Sequence, residues 1–191
     1  MARAHSPTPA GLESFLVRRV RYHVAASLDG FIAGPRGEFD WITPDPAIDF
    51  AELFSQFDTF VMGRRTFELV LSQGQQGLLS SQRVIVASRT LAGSDYPNAT
   101  VVGEGIERVV ASLKHEPGKD IWLFGGGALF RSLLDAGLVD SIEIALIPIL
   151  LGGGIPVVAP GQRSPKLHLA ASRTLSSGTV LLAYELAEKQ G

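Results

Sequence analysis

Residues 120–140 read DIWLFGGGALFRSLLDAGLVD: a short apolar run, three glycines, then an apolar stretch with helical spacing that stops at Gly137. The run over 120–124 predicts a strand and ALFRSLLDAG a helix, with Gly137 in the place where helices commonly stop. Glycine inside an element costs roughly 0.5–1 kcal/mol relative to alanine. Gly125, Gly126 and Gly127 at the joint therefore imply positive φ or a close approach of backbone to something. A tight strand-to-helix turn and a phosphate cradle both fit that requirement.

The same alternation runs outward from this joint. RRVRYHVAAS (18–27) is rich in valine and aromatics and predicts a first strand. A long loop follows, and Asp45-Pro46 has the form of an N-cap with proline at the first helical position, opening a helix over AIDFAELFSQF. DTFVMG (58–63) predicts a buried strand with the helix RRTFELVLSQ set directly on it. QRVIVASR (82–89) and ATVVG (99–103) predict two more strands, and EGIERVVASLKHE (104–116) an amphipathic helix. Beyond residue 138 the pattern changes to strands alone, ending in a hairpin around Ser177-Gly178. This order predicts one α/β domain: a mostly parallel central sheet with flanking helices and antiparallel C-terminal strands. Its bounds are set at 18–188, after a disordered tail over 1–17.

Composition narrows the function. Of 191 residues, 46% are hydrophobic and 19% charged, with a net charge of −2, so no concentrated basic face marks a nucleic-acid binder. The absence of cysteine excludes disulfides and thiolate chemistry. His5, His23, His115 and His168 show no ligand spacing, so no metal is expected. The N-terminus lacks the apolar core of a signal peptide. The most apolar segment, IALIPILLGGGIPVVAP, is broken by prolines and glycines and reads as two short strands around a turn, not a membrane span. A soluble, cytoplasmic protein is expected.

In a sheet of this kind ligands sit beyond the carboxyl ends of the strands. After the first strand comes SLDGFIAGPRGEFDWITPD, a loop long enough to be a lid or binding loop. After the second comes MGRRT, after the third SRT, and after the fifth FGGGALF. Two helix N-termini and three arginines, Arg64, Arg65 and Arg89, thus converge on one edge. Helix N-termini and the guanidinium fork both suit phosphate. A site for several anionic groups suggests a dinucleotide, and the extra arginines suggest one with a 2′-phosphate, NADPH.

VAASLDGFIAGPRGEFDWIT, FVMGRRTFE, SRT and IWLFGGGALFRSLLDAGLVDSIEIALIPILLGGG, in that order over residues 18 to 187, resemble the dihydrofolate reductase-like superfamily. Within it, the chain looks most like the reductase domain of riboflavin biosynthesis and its stand-alone relatives. The resemblance implies NADPH-dependent hydride transfer to a pteridine-like or aminouracil-like ring, commonly in a homodimer. It implies that Gly63, Arg64, Arg65 and Thr66 hold the pyrophosphate and adenosine side, and that Ser88 and Arg89 bind the 2′-phosphate. Gly125, Gly126, Gly127, Ala128 and Leu129 would line the diphosphate and nicotinamide ribose, with a cis peptide between paired glycines. Ala26 would lie near the nicotinamide, with Asp29, Gly30 and Ile32 in a mobile loop over it.

The chain also departs from these families. Dihydrofolate reductases carry an acid five residues after the loop tryptophan, whereas here Trp41 is followed by Asp45 and Asp49. Asp45 is expected to cap the helix, and Asp49 to lie one turn in, on the face with Leu53. Asp49 is the expected catalytic residue, anchoring the acceptor or donating a proton, and burial there would favour its proton-donating form. Asp29, Phe31, Trp41 and Leu53 are expected around the acceptor, Phe31 and Trp41 as stacking walls. The riboflavin-pathway reductases have a lysine where this chain has Asp40. An alternative reading is a non-catalytic or divergent nucleotide-binding dimer that keeps the reductase fold.

Overall fold

The computed structural model describes residues 17–74, 77, 82–164 and 166–186. Residues 1–16 of the expected tail and the last residues of the expected domain lie outside these. The valine- and aromatic-rich runs become the strands β1 (Val20–Ser27), β3 (Phe57–Gly63), β4 (Arg83–Ala87), β5 (Ala99–Val102), β6 (Asp120–Gly125) and β7 (Ser141–Ile147). The amphipathic stretches become the helices α1 (Phe50–Ser55), α2 (Arg64–Ser72), α3 (Ile106–Lys114) and α4 (Gly127–Asp135). The C-terminal hairpin is β9 (Leu167–Thr174) and β10 (Val180–Leu186).

Eight strands form one sheet in the order β5-β4-β3-β6-β1-β7-β10-β9. The first six run parallel, and β10 turns the sheet antiparallel against β7. The mostly parallel α/β sheet read from the sequence is the observed one. β7 stops at Ile147 because Pro148 has no N–H to extend the ladder. Among the described residues no helix is long and apolar enough to cross a membrane.

Two differences from expectation bear on function. The loop after β1 is not irregular throughout: β2 (Phe31–Ala33) pairs with β8 (Ile155–Pro156) in a separate two-stranded sheet. The helix expected from Ala47 begins at Phe50, with Asp49 rather than Asp45 as its N-cap.

Both faces of the sheet are packed around β1, β3, β4 and β6. On one, Tyr22 stacks on Phe130 of α4 with ring centroids 3.9 Å apart, and Val110 and Leu113 of α3 close the layer. On the other, Trp122 gathers Phe54, Phe57, Phe60 and Phe124, all with centroids within 5.5 Å of its ring. Beside Trp122 lies a polar cluster. Arg21 donates to both Glu143 oxygens at 2.7 Å, and His23, stacked on Trp122, holds its Nδ1 3.5 Å from Glu143. Burial alone would raise the Glu143 carboxyl, but Arg21 holds it below the usual range. Burial pushes His23 below its ordinary value, and the Arg21 charge adds to that. Each core aromatic contributes roughly 1.5–3 kcal/mol by leaving water, which sets the framework carrying the loops.

Candidate functional site

Parallel strands point their carboxyl ends to one edge, so the loops after β1, β3, β4, β6 and β7 meet there. Each glycine at the β6–α4 joint answers to a different demand. Gly125 has φ +136°, a conformation that side chains oppose. A Cβ on Gly127 would run into the carbonyl oxygen of Pro156 and lie 3.1 Å from that of Val157. Gly126 has φ −100°, and its Cβ would make only ordinary contacts, 3.8 Å from Ile32 Cδ1 and Thr66 Oγ1. Gly63 likewise has φ −80° and room for a side chain, 3.9 Å from the Gly125 carbonyl oxygen. At Gly63 and Gly126 the packing itself leaves room for a side chain. The Gly125–Gly126 peptide is cis, as the resemblance implied.

Gly63 and Gly126 are the N-caps of α2 and α4, and neither helix is capped by a side chain. Their first-turn N–H groups, including those of Arg65, Thr66, Ala128 and Leu129, are thus available to an anion at the sheet edge. Leu129 differs from the expectation in one respect: its side chain is part of the core, so only its backbone belongs to the edge. Arg64 bonds Glu68 along α2 at 3.0 Å. Arg65 and Arg89 are exposed and have no bonded partner among the described residues. The Ser88 hydroxyl accepts the Thr90 and Leu91 N–H groups at 3.2 and 3.0 Å, which shapes a turn with Arg89 at its tip. Ala26, fully buried, is the last residue but one of β1, beside these loops.

The loop after β1 is tethered rather than free. Asp29 accepts from the Ser27 hydroxyl at 2.6 Å and from the Gly152 and Leu151 N–H groups at 2.7 and 3.1 Å. These bonds, the Ser27 hydroxyl foremost, hold its carboxyl below the usual range. Phe31 is half-buried and donates its N–H to Ser27 Oγ at 3.0 Å. Trp41 is half-buried, its Nε1 donating to the Glu38 carbonyl at 3.2 Å. Leu53 packs with the Trp122 aromatic group, so it supports the wall from behind.

The two acids change places relative to the sequence reading. Asp49 is exposed, and its Oδ1 accepts the Glu52 N–H at 2.9 Å. The burial expected for it is not there. Asp45 is the buried one, accepting the Ala47 N–H at 2.8 Å. The Ser177 hydroxyl above all, then Ala47 and the Arg173 charge, keeps its carboxyl below the usual range. Asp45 therefore ties the approach to α1 onto the β9–β10 turn. Sequence reasoning missed Phe50, exposed beside the Asp49 cap, and Leu28 and Leu150, exposed at the ends of β1 and after β7. An apolar residue at a helix start or after a strand was the available signal.

Comparison with known proteins adds the following. The family model described as the RibD C-terminal domain matches residues 18–181. The uncharacterized protein YyaP of Bacillus subtilis (strain 168) is 35% identical over 178 residues, covering 87% of this chain and 94% of YyaP. The riboflavin biosynthesis protein RibD of Corynebacterium ammoniagenes is 28% identical over 80% of this chain, which spans 52% of that protein. A solved structure from Shewanella sp. PV-4, named for riboflavin biosynthesis, superposes with a TM-score of 0.77 at 29% identity, covering 89% of this chain and 99% of that one. A Thermotoga maritima deaminase and 5-amino-6-(5-phosphoribosylamino)uracil reductase shares the fold, with a TM-score of 0.67 at 20% identity over 89% of this chain and 57% of that one.

Proposed function

The chain belongs to the RibD C-terminal domain family, and on that premise we propose that it is an NADPH-dependent reductase acting on a small planar heterocycle, pteridine-like or aminouracil-like. The observation that carries this reading is the sheet edge itself. Two uncapped helix N-termini, the small residues Gly63 and Gly126, and the cations Arg65 and Arg89, which have no bonded partner among the described residues, lie where the strands end. Such an edge fits a dinucleotide: N–H groups for a diphosphate, and a guanidinium for a further phosphate.

Gly63 to Thr66 and Gly125 to Leu129 would hold the diphosphate and its flanking riboses, Ser88 and Arg89 a 2′-phosphate. Ala26 would form the floor under the ring. When bound, the cofactor supplies the hydride, and one proton completes the reduction of the acceptor. This chain's share is alignment and the proton. The Asp49 oxygen not used in capping is free to accept an N–H from the acceptor or to pass a proton to it. Trp41 and Phe31 would wall the ring, and the tethered loop would keep water from it.

The use of Asp49 as a cap also favours a second reading, a nucleotide-binding protein without turnover. Titration with NADPH and NADH, followed by nicotinamide fluorescence, tests the cofactor site. Preferential NADPH binding supports it, and binding of neither overturns it. NADPH oxidation with pteridine and aminouracil acceptors then separates the two readings. We extend the proposal to a homodimer through the open face of β7, β10 and β9, for which sedimentation should give twice the 20.4 kDa of one chain.

A further inference from the structure

The stretch 149–162 lies between the proposed acceptor and cofactor sides of the site and is bonded to both. On the acceptor side, the Leu28 N–H bonds the Ile149 carbonyl at 2.9 Å, Asp29 accepts the Gly152 N–H at 2.7 Å, and the Val157 N–H bonds the Gly30 carbonyl at 2.9 Å. β2 pairs with β8 in the same stretch, and the Ala33 carbonyl oxygen fills the space that a side chain on Gly154 would need. On the cofactor side, the Ala159 N–H bonds the Gly127 carbonyl at 3.2 Å, and Arg131 of α4 donates to the Ala159 and Gln162 carbonyls at 3.1 and 2.9 Å. The carbonyl oxygens of Pro156 and Val157 close over Gly127 where its side chain would be.

The buried Tyr22 ties this stretch to the main sheet: its hydroxyl donates to the Val157 carbonyl at 2.8 Å, while its ring stacks on Phe130. Val157 thus holds β1 through its carbonyl and the loop after β1 through its N–H. An isolated pair of short strands is at best marginally stable. β2 and β8, three and two residues long, therefore owe their order to what holds them, Gly127 and Tyr22 included. Gly127 also faces two ways. Its carbonyl holds Ala159, and its N–H, in the first turn of α4, has no bonded partner among the described residues.

We propose that residues 155–159 are a strap through which a dinucleotide on the Gly126–Leu129 backbone fixes the loop over the acceptor. The inference rests on the reductase reading above and adds a coupling between its two ligands. A phosphate that takes the free N–H groups of Gly127 and its neighbours holds that backbone in one position. The Gly127 carbonyl then holds Ala159, Val157 holds Gly30, and Asp29 holds Gly152, so that local opening of β2 and β8 becomes rarer. A ligand stabilises the state to which it binds better, and coupling of this kind is commonly worth about 5- to 150-fold in affinity. Such coupling is reciprocal, so an acceptor seated under residues 27–33 tightens the hold on the dinucleotide by the same factor.

The test is amide hydrogen exchange in the full chain, read by NMR, with NADP+ and with the same molecule lacking its nicotinamide, 2′-phospho-ADP-ribose. The truncated probe fills the diphosphate seat and has no nicotinamide to touch the loop after β1. Both probes are expected to slow exchange at Ala159, Val157 and Gly152 together, by about tenfold or more at saturation. Tyr22→Phe keeps the ring stack and removes the bond to Val157, so the strap goes slack beyond Ala159. It is expected to retain the protection at Ala159 and to lose most of it at Val157 and Gly152. Protection that stops at Ala159 overturns the inference, as does protection of Val157 and Gly152 by NADP+ alone. Full protection of all three amides in Tyr22→Phe overturns it as well. If neither probe binds, the reductase reading falls and takes the inference with it.

Discussion

The carbonyl oxygen of Pro156 occupies the space that a side chain on Gly127 would need. Gly127 is thus a glycine of packing, whereas Gly63, with ordinary φ and free space, is not. Gly127→Ala should destabilise by about 1–3 kcal/mol through overpacking. Gly63→Ala should leave the melting temperature unchanged or slightly raised while weakening NADPH binding about tenfold, because its methyl group would stand in the cofactor's path. Thermal melts with and without NADPH check both.

Arg89 is exposed at the tip of the turn that Ser88 shapes. Arg89→Ala should leave the fold intact and reduce NADPH affinity by about 1.5–3 kcal/mol, the worth of a charge-assisted contact. NADH affinity should not move. A fluorescence titration with each dinucleotide reads the difference, and an equal loss for both would place Arg89 away from the 2′-phosphate.

Asp49 caps α1 through one oxygen. Asparagine caps as well as aspartate, so Asp49→Asn should hold the melting temperature and lower turnover by about 10²-fold if the acid acts in chemistry. Asp49→Ala should in addition lose about 1 kcal/mol of capping. Full turnover in Asp49→Asn would remove Asp49 from the mechanism.

His23 is held below its ordinary value by burial, with the nearby Arg21 charge adding and Glu143 opposing. The unfolded chain therefore takes the proton first as pH falls. The stability tied to a neutral His23 is complete above the ordinary histidine value and is lost below it, by at most about 1.4 kcal/mol per pH unit. His23→Gln should flatten the fall in melting temperature between about pH 7 and 5. An unchanged slope would show that His23 takes up its proton over the same pH range in the folded and the unfolded chain.

Elements with local causes were legible in the sequence. Apolar runs of strand length, the helix directly on MGRR, the Gly137 stop and the Ser177-Gly178 hairpin all depend on neighbours a few residues away. The start of α1 was not legible, because Asp45 is recruited by Ser177 and Arg173, more than 120 residues downstream, and only the fold brings those partners together. β2 and β8 are three and two residues long, too short to show a period. The glycines at 125 to 127 announced a joint, but their separate roles depended on the position of Pro156. The site residues on strand ends were readable from the β-α order. The exposure of Leu28, Phe50 and Leu150 was not, since they look like core residues until the fold leaves them outside.

The strand order carries a consequence for how the protein is made. Of the strands in the sheet, β1 is made first, yet its neighbours are β6 and β7. Its last hydrogen-bonded partner, Ile147, lies about 120 residues beyond Ser27, which is roughly 6–24 s of synthesis. Until β6 is made, the consecutive strands β3, β4 and β5 can assemble with one another, while Val20–Ser27 has neither edge paired. The strand that ends at the centre of the finished molecule is the one exposed longest during its synthesis, so nascent chains stalled between residues 30 and 140 are the form most in need of a chaperone.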